Sequence, residues 1–292
     1  MRSNPAEYEF VSPSNLAGAL DLLHREPGAW QPVAGGTEIM VQYSAGRLGA
    51  RRLLNLWNLR ELKEIVESND SLRIGGGCTF TQLRERSAVQ NHFPLLVTAA
   101  AWTGGIANQN RATIAGNIVN ASPAADSPPV LLAYEAELEL ISATGTRRIP
   151  YSDFHLSYKK TVLQPNELLL AIHLPKRFAG WFSYAQKTGA RNAQAISKVC
   201  IAGVGKLRGN RVKALNIGIG AVAPTPLRLR KTEQILLGSP LTQKTMSEAV
   251  QALESEISPI EDIRSSVAYR RQVAANLLED LLSSFSASEQ AG

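Results

Sequence analysis

Val33-Ala34-Gly35-Gly36-Thr37-Glu38 is the stretch that decides how this chain reads. A short apolar strand, Gln31-Pro32-Val33-Ala34, runs into two residues that lack Cβ and then into Thr37, a residue type that caps helices. Backbone N–H groups exposed at such a junction form a nest for an anion, and the dipole of a following helix reinforces it. A second stretch has the same texture: Ala112-Thr113-Ile114-Ala115-Gly116-Asn117-Ile118-Val119-Asn120-Ala121-Ser122-Pro123. It offers further free N–H groups and several neutral hydrogen-bonding side chains. Neither stretch carries a lysine. Together they suit a diphosphate held by peptide dipoles better than a transferred phosphoryl group, whose chemistry needs Lys, Arg or a metal. On spacing alone, two tight turns are the equal alternative.

Working outward, Leu16, Ala19, Leu20 and Leu23 give a helix over 16–25 with one buried face, capped at Ser14 or Asn15 and stopped by Pro27-Gly28. A brief helical pattern follows Glu38, and strands are expected over 52–56 and 71–75. This alternation argues an α/β unit. Pro94 opens a buried helix over 95–102. Residues 104–127 are small, weakly charged and without clear period, and read as an irregular segment that lets backbone approach something closely. Asp126-Ser127-Pro128 reads as an N-cap before a short helix over 130–134, and Gly75-Gly76-Gly77 as a run of turn glycines. Leu138 and Leu140 alternate with Glu137 and Glu139 in a half-buried strand. Past Pro175 the texture changes. Strands over 182–186, 197–207 and 213–221, with a turn at Gly209-Asn210, precede helices over 227–237, 243–254 and 265–285. The last helix places Val273, Leu277, Leu278, Leu281 and Phe285 on one side. Strands followed by helices predict a second, α+β domain from about residue 177.

Composition closes off several classes. The chain has 292 residues, 44% apolar and 19% charged, enough for two real cores. Its excess of 31 Lys and Arg over 25 Asp and Glu is scattered in doublets such as Arg51-Arg52 and Arg147-Arg148, so no contiguous basic stripe marks it for nucleic acid. Cys78 and Cys200, far apart and outside any CxxC, exclude a disulfide scaffold, a four-thiolate zinc site and an iron–sulfur cluster carried by this chain alone. His24, His92, His155 and His173 show no metal-binding spacing. No GxSxG, GxxxxGK[ST] or helix-opening GxGxxG is present. The N-terminal ten residues lack a signal-peptide core, and no run reaches membrane-spanning length. A cytoplasmic chain without membrane insertion is expected.

At the two glycine loops the sequence resembles a known family. Val33–Glu38 taken with Thr113–Asp126 looks like the paired FAD loops of the flavin subunits of molybdenum hydroxylases, the group of xanthine dehydrogenase, aerobic carbon monoxide dehydrogenase and nicotinate dehydrogenase. Tyr158-Lys159-Lys160-Thr161 with Pro165, Glu167 and Leu169 resembles the segment closing that flavin domain. Gly220-Ala221-Val222-Ala223-Pro224-Thr225-Pro226-Leu227-Arg228 and Tyr269-Arg270-Arg271 resemble the C-terminal domain. Either loop alone is a weak signal; both in order, with the later segments, are a strong one.

The resemblance implies an α+β protein: a two-subdomain flavin-binding fold of the vanillyl-alcohol-oxidase type over 1–176, with a break near 57–60, then a smaller α+β domain of antiparallel strands plus helices over 177–292. It implies FAD as cofactor, with Val33, Ala34, Gly35, Gly36, Thr37 and Glu38 around the pyrophosphate and adenosine side. Thr113, Ala115, Gly116 and Asn117 fall at the diphosphate and ribityl region, and Asn120 and Asp126 at hydroxyls or the flavin. Thr103 and Gly104 fall beside the flavin ring, and Leu169 packs near it. Lys187 matches a lysine able to stabilise anionic reduced flavin. No catalytic side chain and no metal ligand is implied. The partners implied are a molybdopterin-binding large subunit and a [2Fe–2S] small subunit, with NAD⁺, a quinone or O₂ as acceptor. The sequence departs from relatives at Ala115, where some have glycine, at Gln109, where many have arginine, and at Thr103, where xanthine dehydrogenases place an aromatic. Those departures keep open an alternative, a binding or assembly module with this fold and no redox work.

Overall fold

The computed structural model describes residues 4–191 and 194–288; Met1-Arg2-Ser3, part of the leader reading, lies outside the described residues. The chain begins with β1 (Glu9–Val11), α1 (Leu16–Arg25), β2 (Gln31–Val33), α2 (Ile39–Ser44) and β3 (Arg52–Asn55). Both β1 and β2 pair with β3 in parallel, as strand–helix–strand crossovers require. The α1 helix forms where its apolar period predicts. Asn15 caps it by accepting from the Gly18 amide at 2.9 Å, and Ala19, Leu20 and Leu23 are buried against Trp30, Leu54 and Leu56.

A five-stranded sheet follows in the order β4-β5-β10-β6-β7, built from β4 (Ile65–Glu67), β5 (Ser71–Gly75), β6 (Glu137–Ser142), β7 (Gly145–Pro150) and β10 (Leu168–Pro175). Its Leu72, Ile74, Leu138, Leu140, Ile172 and Leu174 face the largest core. That core is closed by α3 (Phe80–Glu85), α4 (Ser87–His92), α5 (Pro94–Trp102) and α8 (Ser127–Ala133), with the short α6 (Ile106–Gln109) and α7 (Ile114–Val119) between. Residues 104–127 are therefore more regular than their composition suggests. Helices of four and six residues are too short for the apolar period to register. The small ribbon β8 (His155–Ser157) and β9 (Lys160–Thr161) stands beside this sheet.

The C-terminal part is an antiparallel sheet, β11 (Phe182–Thr188), β12 (Val199–Leu207), β13 (Val212–Gly220) and β14 (Leu227–Arg228), backed by α9 (Arg230–Leu236), α10 (Gln243–Glu256) and α11 (Val267–Ser288). Leu277, Leu278, Leu281 and Phe285 lie in its core as the helical period predicts. The helix expected over 227–237 starts three residues later, because residues 227–228 pair with Ile219 and Gly218 as a strand. Every residue of α8 is buried, because this helix packs against both the largest core and the C-terminal sheet. Asn216 holds its end by donating to the Ala133 carbonyl at 2.9 Å. No described helix is long and apolar enough to cross a membrane.

Candidate functional site

The first glycine loop leaves β2 at Val33 and enters α2 at Ile39. Glu38, not Thr37, stands at the cap position of α2, and no side chain caps it. The expected threonine cap is thus absent, and the amides of Ala34, Gly35, Gly36, Thr37 and Glu38 donate to no acceptor among the described residues. The loop itself is only half-buried apart from the exposed Glu38. Its donors are left open because the chain turns here through Gly36, at a φ of 78° that favours glycine.

The second segment behaves otherwise. Thr113 caps α7, its Oγ1 accepting from the Gly116 amide at 3.1 Å. The Ile114 and Ala115 amides donate to the carbonyls of Cys78 and Gly76, each at 3.0 Å, and the Asn117 amide to the Thr113 carbonyl. The free amides expected there are mostly engaged. What they hold is the junction after β5, and this gives the Gly75–Gly77 run a purpose the sequence did not show. A Cβ on Gly76 would lie 2.4 Å from the Leu169 carbonyl oxygen and 2.8 Å from the Ala115 methyl. Ala115 and Leu169 therefore meet across a residue that has to be glycine, and the Ala115 methyl is packed here.

The two loops touch. A Cβ on Gly35 would sit 1.7 Å from the carbonyl oxygen of Arg111, just before the second segment. Arg111 also donates from Nε to the Gly35 carbonyl at 3.4 Å. A second tie comes from the β8–β9 turn. Lys159 donates to both the carbonyl and the side-chain oxygen of Asn120, at 2.7 and 2.8 Å. Burial pulls its ammonium below the usual lysine range, while the Glu38 carboxylate acts in the opposite sense. Lys159 thus lies within the field of the first loop and in contact with the second.

Asp126 does not cap α8. Its carboxylate turns toward the C-terminal sheet, with Lys187 Nζ at 2.7 Å and Ser197 Oγ at 2.6 Å. Burial pushes the Asp126 carboxyl up, and the Lys187 ammonium and Ser197 hydroxyl pull it back. Removing either member would strand a buried charge, so the pair has high stakes for geometry whatever its net contribution to stability. Lys187 also donates to the Trp102 carbonyl at 3.2 Å, which brings it beside Thr103 and Gly104. Asn117 joins the same cluster by accepting from Ser127 Oγ at 2.7 Å. Cys200, fully buried nearby, has its thiol pushed up to about 12 by burial and by Asp126, and is inert as a nucleophile. Gln109 is buried. It accepts from Arg84 at 2.6 Å and donates to the Ala101 carbonyl at 2.9 Å, so it fixes the α5–α6 corner from within.

The structure accordingly gathers the predicted residues into three contacts. Gly35 meets the chain entering Thr113, Ala115 meets Leu169 at Gly76, and Asp126 meets Lys187 beside Thr103, with Asn117 bonded to the adjoining Ser127. Asn120 and Glu38 are connected through Lys159. Sequence reasoning missed Gly76, Arg111 and Ser197 as members of the site. Lys159 enters the sequence reading without an assigned role in the site. Two clefts of about 300 Å³ lie elsewhere, one lined by Tyr151, His155, Arg228 and Arg230 and the other by Lys63, Gln82 and Arg86, and neither involves a predicted residue. Among the described residues no group of three His, Cys, Asp or Glu side chains gathers as a metal site.

Known proteins resemble this chain over both its parts. Residues 6–177 match the FAD binding domain in molybdopterin dehydrogenase, and residues 184–285 match the CO dehydrogenase flavoprotein C-terminal domain. The chain is 34% identical over 276 residues to the xanthine dehydrogenase FAD-binding subunit of Escherichia coli O157:H7, covering 92% of this chain and 93% of that one. It is 28% identical over 278 residues to the carbon monoxide dehydrogenase medium chain of Hydrogenophaga pseudoflava, covering 95% and 96%. The solved structure of carbon monoxide dehydrogenase from the same organism superposes with a TM-score of 0.91 at 27% identity, over 95% of this chain and 96% of that one. Two family models in the expected order, and relatives aligned over nearly their whole length, place the chain among the FAD-binding subunits of the molybdenum hydroxylases, oxidoreductases of the xanthine and carbon monoxide dehydrogenase type.

Proposed function

We propose that this chain is the flavin-carrying electron relay of a cytoplasmic complex whose partners are a molybdopterin-binding large subunit and a [2Fe–2S] small subunit. FAD, when bound, supplies the redox chemistry, accepting electrons from partner clusters and passing them to NAD⁺ or another acceptor. The residues present fit that group. The observation that carries the reading is the run of open amides at residues 34–38, beside a Gly35 backbone too close to Arg111 for any side chain. An uncapped loop of peptide donors is the chemistry a diphosphate takes.

In this reading Val33, Ala34, Gly35, Gly36, Thr37 and Glu38 hold the diphosphate and the adenosine side. Thr113, Ala115, Gly116 and Asn117 shape the opposite wall, with Asn120 oriented by Lys159. Thr103, Gly104 and Leu169 border the ring. Lys187 supplies a cation whose charge is balanced by Asp126, so that the site gains a directed dipole more than a bare positive charge. The division into domains at 176/177, with a break at 57–60 between the small parallel sheet and the larger one, follows the gaps between β3 and β4 and between β10 and β11.

The test is direct. The purified chain carries the yellow flavin spectrum or regains it on incubation with micromolar FAD, and dithionite-reduced [2Fe–2S] partner bleaches it. A protein that stays colourless overturns the reading. A yellow protein that no cluster-bearing partner reduces supports the assembly module instead.

A further inference from the structure

Arg111 lies outside the residues assigned to the flavin, yet it touches the first loop twice. Its main chain occupies the space a Gly35 side chain would need. Its guanidinium reaches back to the Gly35 carbonyl. That guanidinium is not loose: it lies 3.9 Å from the centre of the Trp57 ring, and Lys63 Nζ lies 4.2 Å from the same centre. Trp57 thus collects two cations, and among the described residues neither is ion-paired with a carboxylate. Two like charges brought together without a counter-ion are costly unless an anion balances them. The Gly35–Gly36 turn, which Arg111 touches, carries amides with no acceptor among the described residues.

The peptide plane fixes the direction. In a trans peptide the carbonyl of one residue and the N–H of the next point opposite ways. The Gly35 carbonyl is directed at Arg111, so the Gly36 N–H points away from it, into the turn whose amides have no acceptor among the described residues.

We propose that Arg111, stacked on Trp57, is a positioning residue that aims the Gly36 amide at the diphosphate of the bound dinucleotide and, with Lys63, supplies the positive field behind it. This rests on the FAD reading above. Arg111 acts through Gly35 and not by direct contact. Its planar, fork-shaped group can lie flat on an indole and donate sideways at once, which a lysine ammonium cannot do.

The experiment measures FAD and ADP affinity of the full chain by flavin fluorescence and calorimetry, with far-UV circular dichroism and melting temperature as fold controls. Arg111→Ala weakens FAD and ADP by a similar factor, on the order of tenfold to a hundredfold, because the diphosphate is common to both. Arg111→Lys keeps the charge but recovers less than half of the lost log affinity. Trp57→Leu leaves Arg111 in place without its platform and costs about threefold to tenfold, which keeps the idea testable should Arg111→Ala fold poorly. Wild-type affinity in both Arg111→Ala and Trp57→Leu overturns the positioning role while leaving the FAD reading intact. Full recovery in Arg111→Lys overturns it in favour of charge alone. A wild-type chain that takes up neither FAD nor ADP sinks the FAD reading, and this inference with it.

Discussion

The two glycine-bearing segments look alike in sequence and do opposite things in the structure. Among the described residues, 34–38 make no backbone donation to protein, whereas Ile114, Ala115, Gly116 and Asn117 all donate, to Cys78, Gly76 and Thr113. In the proposed reading the first loop is the surface that meets the diphosphate. The second is tied to the end of β5 and brings Arg111 against the first. In that reading a diphosphate site needs only one open nest, provided a second element holds it in shape. If that division is right, damage to the first loop should remove flavin with the fold preserved, and damage to the second should lower stability before it lowers affinity.

The largest expected effect lies where the two segments meet. Gly35→Ala places a methyl 1.7 Å from the Arg111 carbonyl oxygen, a backbone atom that cannot rotate aside. One segment must move. FAD content should fall by on the order of a hundredfold, as expected when a close backbone approach is lost at a phosphate nest. The melting temperature should drop only modestly, because the loop is half-buried and outside the main cores. Flavin absorbance per protein and a thermal melt check this. A Gly35→Ala chain that purifies fully yellow would falsify the convergence of the two segments.

A smaller effect concerns the ribbon that carries Lys159. His155, at the start of β8, shares a hydrogen bond with the Tyr151 hydroxyl at 2.9 Å. Burial lowers its folded-state value to about 4, against an unfolded value near 6.5. The folded state therefore binds fewer protons than the unfolded one between those values. Stability is fully present above about pH 6.5 and is lost as pH falls toward 4, by roughly 1–3 kcal/mol once partial exposure is allowed for. The melting temperature should decline over that window in the wild type and decline less in His155→Gln. Lys159 lies four residues on and braces Asn120, so flavin release on acidification should follow the same window. Release that tracks pH identically in His155→Gln separates the ribbon from the site.

Much of this was readable beforehand, and the reasons are local. The α1 helix, its Asn15 cap, α5 after Pro94, and the apolar side of α11 follow from periods long enough to repeat. On spacing alone the two loops were open to a second reading as tight turns, and the flavin fold came from their resemblance, taken in order, to a known family. What was hidden was long-range. The sequence around Thr113 shows small polar residues but not that Cys78 and Gly76 accept from them. Nothing near Asp126 announces Lys187 and Ser197, because its partners arrive on β11 and just before β12, more than sixty residues on. Asp126-Ser127-Pro128 mimics a cap because Asp is favoured there. The tertiary ion pair won over the local preference. Gly75-Gly76-Gly77 had no visible purpose because its crowding comes from Leu62 and Leu169.

The smallest effect is also the sharpest discriminator between nest and scaffold. Thr113→Ala removes the hydroxyl that accepts from Gly116 and leaves the backbone bridge to Thr79 in place. Loss of one N-cap costs about 1 kcal/mol of stability. If the second segment only supports the first, FAD affinity in Thr113→Ala should stay within about threefold of wild type, since the amides that meet the anion are elsewhere. If the Thr113 hydroxyl itself holds phosphate, affinity falls by more than tenfold while stability changes no further. Urea denaturation of the apo protein beside a FAD titration reads both quantities from the same preparation. A large loss of affinity without a matching loss of stability would move Thr113 from the scaffold to the nest and leave the contrast between the two segments without its basis.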